Sequence, residues 1–375
     1  MNGKRLKVVS VFGTRPEAIK LAPVIHELQR RGIEQLVCVS GQQREMLDQM
    51  LQIFEIRPDF DLNIMRHGQT LEDITSKTLA GLHALLVAHE PNLVLVQGDT
   101  TTAMVGALAA LYQQIPVGHV EAGLRTDNLY NPFPEEANRR IITQLASLHF
   151  APTPLARKNL LQAGIDEAQI TLTGNTVIDS LIWVDRRVLP IEDQNLAALI
   201  GGNQRFVLLT SHRRENLGGG MDGIFSALAE LAKHYPSLSF MFPVHLNPAI
   251  RQHALRHVEN IPNIILTAPF SYSDMVSALK HCYLVLTDSG GLQEEAPAFG
   301  KPVLVLRTTT ERPEGVDAGT AKLVGVDARD IVEAASQLLD SQTAYDAMAN
   351  AVNPYGKGDS AIQIVDAIEK SYRSL

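Results

Sequence analysis

The sequence predicts a doubly wound α/β protein of two domains, and three observations carry that expectation. Short apolar runs rich in Val, Ile and Leu, at 6–12, 36–40, 93–97, 117–121, 149–151 and 170–173, alternate with longer helical stretches. Continuous apolar strands of this kind suit a parallel sheet covered on both faces. A second series follows at 206–210, 238–242, 264–266, 284–287 and 303–306. Finally, 375 residues at about 150 per domain suggests two domains, with three also compatible.

Between the strands, helical periodicity marks 16–31, 71–90, 103–113, 135–145 and 221–234. The polar passage 188–204 reads either as a linker or as a helix and loop early in the second domain. The segment 360–375 has helical periodicity and can pack back on either domain. Gly218-Gly219-Gly220-Met221-Asp222-Gly223 matches G-x-G-x-x-G but lies too far beyond its strand for a dinucleotide fingerprint, and it reads as a flexible loop leading into a helix. No Walker A sequence occurs.

Composition excludes several classes. Hydrophobic residues make up 45% and charged residues 20%, as in a folded protein with a sizeable core. The net charge of −8 argues against a nucleic-acid partner. Cys38 and Cys282 stand alone without a C-x-x-C, so neither a disulfide framework nor a cysteine-based metal site is expected. The apolar tracts fall short of the roughly 20 residues that span a bilayer. The initial run is too short for a signal-peptide core, so a cytoplasmic protein without membrane insertion is expected.

In doubly wound sheets ligands sit at the carboxyl ends of strands, so polar residues there merit the closest reading. Gly13-Thr14-Arg15-Pro16-Glu17, with Lys20 one turn on, brings two cations to a helix start, where anions already bind well. An ordinary strand–helix turn with solvated charges is equally compatible. Asp99 and Glu121 end two strand runs joined by one helix and are expected to be neighbours at one sheet edge. Glu135 opens the next helix, with Arg139 four residues on, within pairing reach. Singly, Asp99 can be a helix cap and Glu135 a complement to a helix dipole. Together, three close carboxylates shift one another's pKa and suit proton transfer.

In the second half, His212 follows the first strand with Arg213 and Arg214 beside it, and position alone distinguishes it among 12 histidines. Thr287-Asp288-Ser289-Gly290-Gly291 follows a strand, and its small residues let an anion approach the backbone amides. Glu295, expected on the first turn of that helix, can accept hydrogen bonds from a ribose. Arg312 comes after the next strand at the same edge. A plain helix cap is the competing reading for Ser289.

These motifs occur in one order: Phe12-Gly13-Thr14-Arg15-Pro16-Glu17, Gly98-Asp99-Thr100, His119-Val120-Glu121-Ala122-Gly123-Leu124-Arg125, Pro134-Glu135-Glu136-Ala137-Asn138-Arg139, Gly174-Asn175-Thr176, His212-Arg213-Arg214-Glu215-Asn216, Pro243-Val244-His245, 288–297 and Glu311-Arg312-Pro313-Glu314. The set resembles the non-hydrolysing UDP-N-acetylglucosamine 2-epimerases of bacteria through nearly the whole chain. The resemblance implies a GT-B architecture, two Rossmann-like domains facing a cleft, at 1–174 and 175–359, with 360–375 returning to the first. It implies a homodimer, no NAD or metal cofactor, and a UDP-sugar substrate interconverted between UDP-N-acetylglucosamine and UDP-N-acetylmannosamine for surface polysaccharide synthesis.

By motif, the resemblance places Arg15, Lys20, Asp99, Glu121, Glu135, Arg139 and His212 around the reacting sugar and diphosphate. It places Ser289, Gly290, Gly291, Glu295 and Arg312 on the UDP part, with Phe270 and Met275 as substrate contacts by spacing. One departure is Gln42-Gln43-Arg44 where relatives often read Gln-His-Arg; Glu45 and 65–69 also differ from relatives in which a second substrate molecule activates the enzyme. Regulation of that kind is therefore not expected. The alternatives are an epimerase for a UDP-2,3-diacetamido uronic acid, a hydrolysing 2-epimerase, a GT-B glycosyltransferase and a sugar-nucleotide sensor.

Overall fold

In the computed structural model, which describes residues 5–42, 44–66, 68–126, 128–211, 219–244, 255–258 and 260–373, the chain divides into two compact units. One comprises Met1–Trp183 with Tyr355–Leu375, the other Val184–Pro354.

The first unit holds seven parallel strands: β1 (Lys7–Phe12), β2 (Glu34–Val39), β3 (Phe60–Asp61), β4 (Leu93–Gln97), β5 (Val117–Val120), β6 (Leu148–Ala151) and β7 (Ile170–Leu172). Their order is β3-β2-β1-β4-β5-β6-β7. The second holds β8 (Phe206–Thr210), β9 (Ser239–Pro243), β10 (Ile264–Thr267), β11 (Leu284–Thr287), β12 (Val303–Val305) and β13 (Ala321–Leu323), in the order β10-β9-β8-β11-β12-β13. All the pairings are parallel, which is the doubly wound α/β class.

The second unit shows why the apolar runs are continuous. Val207 and Leu209 join one core layer while Phe206 and Leu208 join the other. Phe240 and Phe242 likewise part from Met241, and Leu284 and Leu286 from Val285. Successive side chains leave a strand on opposite faces, so a sheet buried on both faces needs an apolar residue at every position.

Strand order reverses between β1 and β4 in the first sheet and between β8 and β11 in the second. Such switch points open a crevice at the carboxyl ends of strands. The residues singled out above follow β1, β4, β5, β8, β11 and β12, apart from Phe270 and Met275, which follow β10.

Some expectations change. The passage 188–204 contains the helix Gln194–Gly201. The glycine-rich stretch does lead into a helix, Gly219–His234, which begins two residues before the expected 221. Gly223 has a packing reason: a Cβ there would sit 2.1 Å from the Val326 carbonyl oxygen. Two strands escaped the sequence reading, the two-residue β3 and the three-residue β13, because neither carries an apolar run. The helix Ser360–Arg373 packs on the helix Arg15–Arg30, with Arg31 bonded to Asp366 at 2.6 Å and Glu369 at 2.8 Å. No helix among the described residues is long and apolar enough to cross a membrane.

Candidate active site

At the first switch point two turns are tied together by a carboxylate. Glu17, 1% exposed on the first turn of the helix Arg15–Arg30, accepts from Gly13 N at 3.0 Å and Thr14 Oγ1 at 2.8 Å. Its other oxygen accepts from Thr100 Oγ1 at 2.7 Å, in the turn after β4. Burial pushes Glu17 up to about 7, against these hydrogen bonds. Arg15, half-buried, begins the same helix.

After β4, Gly98 takes a left-handed φ of +68° and gives way to Asp99. The helix cap is Thr100, whose Oγ1 accepts from Ala103 N at 3.0 Å, so Asp99 is released from capping. Its Oδ2 accepts from Arg139 Nη1 at 2.5 Å, and its carbonyl from Asn138 Nδ2 at 2.8 Å. Burial raises Asp99 above the usual carboxylate range; the Arg139 charge opposes this, while Glu121 and Glu135 add to it. Arg139 thus does not pair with Glu135 four residues back. Its helical phase turns it to Asp99 and to buried Glu136, 3.0 Å from its Nε, leaving Glu135 half-buried at the helix start.

Glu121, immediately after β5, has φ +63°, a conformation that costs a non-glycine residue roughly 1–2 kcal/mol. Such strain persists where surroundings enforce it, often at functional sites. Here three donors do so. Lys20 Nζ lies 2.5 and 2.6 Å from the two carboxylate oxygens, Gln97 Nε2 donates to Oε2 and Asn175 Nδ2 to Oε1 at 3.1 Å. The neighbouring His119, 1% exposed, bonds the Gly98 carbonyl oxygen at 2.8 Å through Nε2 and is pushed down to about 3 by burial. Asp99 and Glu121 therefore lie on neighbouring strands, as one connecting helix implies, each already facing a cation.

In the second unit, Thr210 and Thr287 share a hydroxyl bond of 2.6 Å across β8 and β11, and Ser211 Oγ donates to buried Asp288 at 2.9 Å. Ser289 precedes the helix Gly290–Glu295 without a side-chain capping bond. Its N–H donates to Thr287 Oγ1 at 2.9 Å. That helix has only six residues, so Glu295 closes it instead of standing on its first turn. Arg312 Nε is held by Glu294, and Thr310 Oγ1 by Gln293 at 2.7 Å, binding the loop after β12 to this short helix. Phe270 and Met275 are partly buried against the apolar core. His212, Arg213, Arg214 and His245 lie outside the described residues.

Sequence reasoning passed over Glu17, Gln97, Glu136, Asn138 and Asn175. Glu17, Glu136, Asn138 and Asn175 stand inside motifs already quoted. Gln97 and Asn138 carry no charge, so pattern alone offers no reason to select them. Among the described residues no group of three or more His, Cys, Asp or Glu is arranged to hold a metal ion.

Comparison with known proteins supplies the remaining context. A family model described as UDP-N-acetylglucosamine 2-epimerase matches residues 26–369. The UDP-N-acetylglucosamine 2-epimerase of Yersinia pestis is 52% identical over 376 residues, covering 99% of this chain and 100% of its own length. That of Escherichia coli (strain K12) is 50% identical, with the same coverage. Among solved structures, the Neisseria meningitidis UDP-GlcNAc 2-epimerase bound to UDP-GlcNAc superposes with a TM-score of 0.85 at 47% identity, over 97% of this chain and 100% of its own. The Methanocaldococcus jannaschii enzyme in complex with UDP-GlcNAc and UDP gives 0.78 at 32% identity, with the same coverage.

Proposed function

The chain belongs to the UDP-N-acetylglucosamine 2-epimerase family, and from that premise we propose that it inverts carbon-2 of UDP-N-acetylglucosamine in the cytoplasm, using carboxylates at the β4–β5 edge. The carbon-2 proton is not adjacent to a carbonyl, so direct removal is very slow. Elimination solves this. A base takes the proton, the C–H electron pair forms the carbon-1–carbon-2 double bond, and the carbon-1–oxygen bond breaks to release UDP. Return of a proton to the opposite face of 2-acetamidoglucal, with UDP re-adding at carbon-1, completes the inversion.

That chemistry needs a proton acceptor, a proton donor and cations for the leaving diphosphate. Asp99, Glu121 and Glu135 take the acid–base roles. Arg15, Lys20, His212 and Arg312 take the diphosphate charge, with Arg139 holding Asp99. Ser289, Gly290, Gly291 and Glu295 hold the UDP part, with Phe270 and Met275 as further substrate contacts. The observation that carries this reading is the cluster itself: half-buried Asp99 lies within electrostatic reach of Glu121 and Glu135, paired with Arg139 and within reach of Lys20.

Incubation with UDP-N-acetylglucosamine alone, followed by NMR, tests the reading. Formation of UDP-N-acetylmannosamine supports it. Free N-acetylmannosamine with UDP indicates a hydrolysing enzyme, and no turnover without an acceptor indicates a glycosyltransferase. In heavy water the product should carry deuterium at carbon-2. The proposed homodimer has a candidate face in exposed Val87, Leu111, Tyr112 and Ile141, on three helices that pack side by side. Tyr112→Glu should shift sedimentation towards monomer.

A further inference from the structure

We propose that Asn175 is a positioning residue for this reaction, its side-chain amide fixing one oxygen of Glu121 while the returning segment 355–360 fixes Asn175. The inference rests on the reading of Glu121 as an acid–base group.

Asn175 is 2% exposed and held on three sides. Its N–H donates to the Tyr355 carbonyl oxygen at 2.7 Å. Its Oδ1 accepts from Val177 N at 3.1 Å, which leaves Nδ2 as the end that meets Glu121 Oε1. Gly174, immediately before, has φ +81°; a Cβ there would stand 2.8 Å from Ser360 Oγ and 3.1 Å from the Tyr355 carbonyl oxygen. Asp179, one turn beyond, accepts from the main-chain N–H groups of Ser360 and Ala361 at 3.3 and 3.0 Å. The returning chain is thus gripped on either side of Asn175. A residue remote in sequence from Glu121 is set by a segment more remote still.

The donors on Glu121 differ in kind. Gln97 and Asn175 are neutral amides, one on each oxygen, whereas Lys20 is a cation on a flexible stem. When Lys20 turns to the diphosphate, the two amides still hold the carboxylate in direction. A neutral donor also favours the ionised carboxylate. Among the described residues, the charged or titratable groups seen to act around Glu121 include Lys20, Asp99 with its neighbours Arg139 and Glu135, and His119, which burial keeps neutral. All of them remain when Asn175 is changed.

The test measures kcat and KM for UDP-N-acetylglucosamine against pH in the full chain carrying Asn175→Asp, Asn175→Ser or Gly174→Ala. Asn175→Asp keeps the acceptor for Val177 N and puts a carboxylate against Glu121. We expect kcat to fall about 10- to 100-fold with KM within about twofold. The acid limb of the kcat profile should move up by about one pH unit for Asn175→Ser, and further for Asn175→Asp. Gly174→Ala should lower kcat by displacing Asn175, and it serves if the others fail to fold. Unchanged kcat, or a loss of kcat with an unmoved acid limb, overturns the inference. Wild type and Glu121→Gln run alongside: a wild type that does not epimerise, or a Glu121→Gln as fast as wild type, sinks the reading of the site and this inference with it. A normal wild type and an inactive Glu121→Gln beside unaffected Asn175 variants sink the inference alone.

Discussion

The turn after β4 and the turn after β11 occupy equivalent places, each at the switch point of its own parallel sheet, yet they are built from opposite materials. The first is dense with charge: Asp99 faces Arg139, Glu121 faces Lys20, and uncharged Gln97 and Asn175 hold the remaining positions. The second is mostly hydroxyls and backbone, with Thr210 on Thr287, Ser211 on Asp288, and a helix start at Ser289-Gly290-Gly291 that has no side-chain cap. Topology supplies a crevice in both cases. Side chains decide its use: pre-placed charges suit proton movement, and small residues at a helix start suit an anion.

The largest expected effect breaks the first turn. Asp99→Asn, Glu121→Gln and Glu135→Gln keep approximate shape while removing the basic group. Loss of an essential acid–base member should lower turnover by about 10²–10⁴-fold. UDP affinity by calorimetry should stay near wild type, since none of the three carboxylates is among the proposed contacts to UDP. If all three epimerise at near wild-type rates, the proton-moving role of this edge fails.

The next effect is on stability, and it too separates the turns. Burial raises Glu17 to about 7 and Asp179 to about 6, so each folded carboxyl holds a proton more tightly than in the unfolded chain. Their contribution is fully present below the unfolded values of 4.5 and 3.8, and it is lost as pH rises through about 7 and 6. His119 and His149, paired in register across β5 and β6, are pushed down to about 3 and 4 by burial. Theirs is present above 6.5 and lost as pH falls. All four lie in the first unit and oppose one another. Glu17→Gln should therefore lose stability relative to wild type as pH falls from about 7 to 4.5, by at most about 3 kcal/mol. Asp99→Asn offers no such clean contrast, since its pairing with Arg139 also changes. Chemical denaturation at several pH values checks this; a variant offset that does not change with pH would reject the buried charge.

The smallest effect belongs to the second turn. A Cβ at Gly291 meets Glu295 Oε1 at 3.5 Å and Ser289 Oγ at 3.9 Å, ordinary contact distances, so the fold should tolerate Gly291→Ala. If an anion sits close to this backbone, UDP affinity should fall by about tenfold with an unchanged melting temperature. Unaltered affinity would remove Gly291 from the proposed site.

Much of this was legible in the residues alone. A strand buried on both faces must be apolar at every position, so the runs at 93–97 and 206–210 announced a parallel sheet, and one helix between β4 and β5 placed Asp99 beside Glu121. The motif order carried the family. Tertiary structure decided the rest. Arg139 has Glu135 and Glu136 within reach along its helix, and the helix's rotation against β4 gives it Asp99 and Glu136 instead. Glu121 draws its donors from Lys20, Gln97 and Asn175, at separations of 101, 24 and 54 residues. Periodicity reports which face of an element is buried, because that depends on its own repeat. Which side chain completes a buried carboxylate depends on how separate elements dock, and local sequence pattern does not encode that.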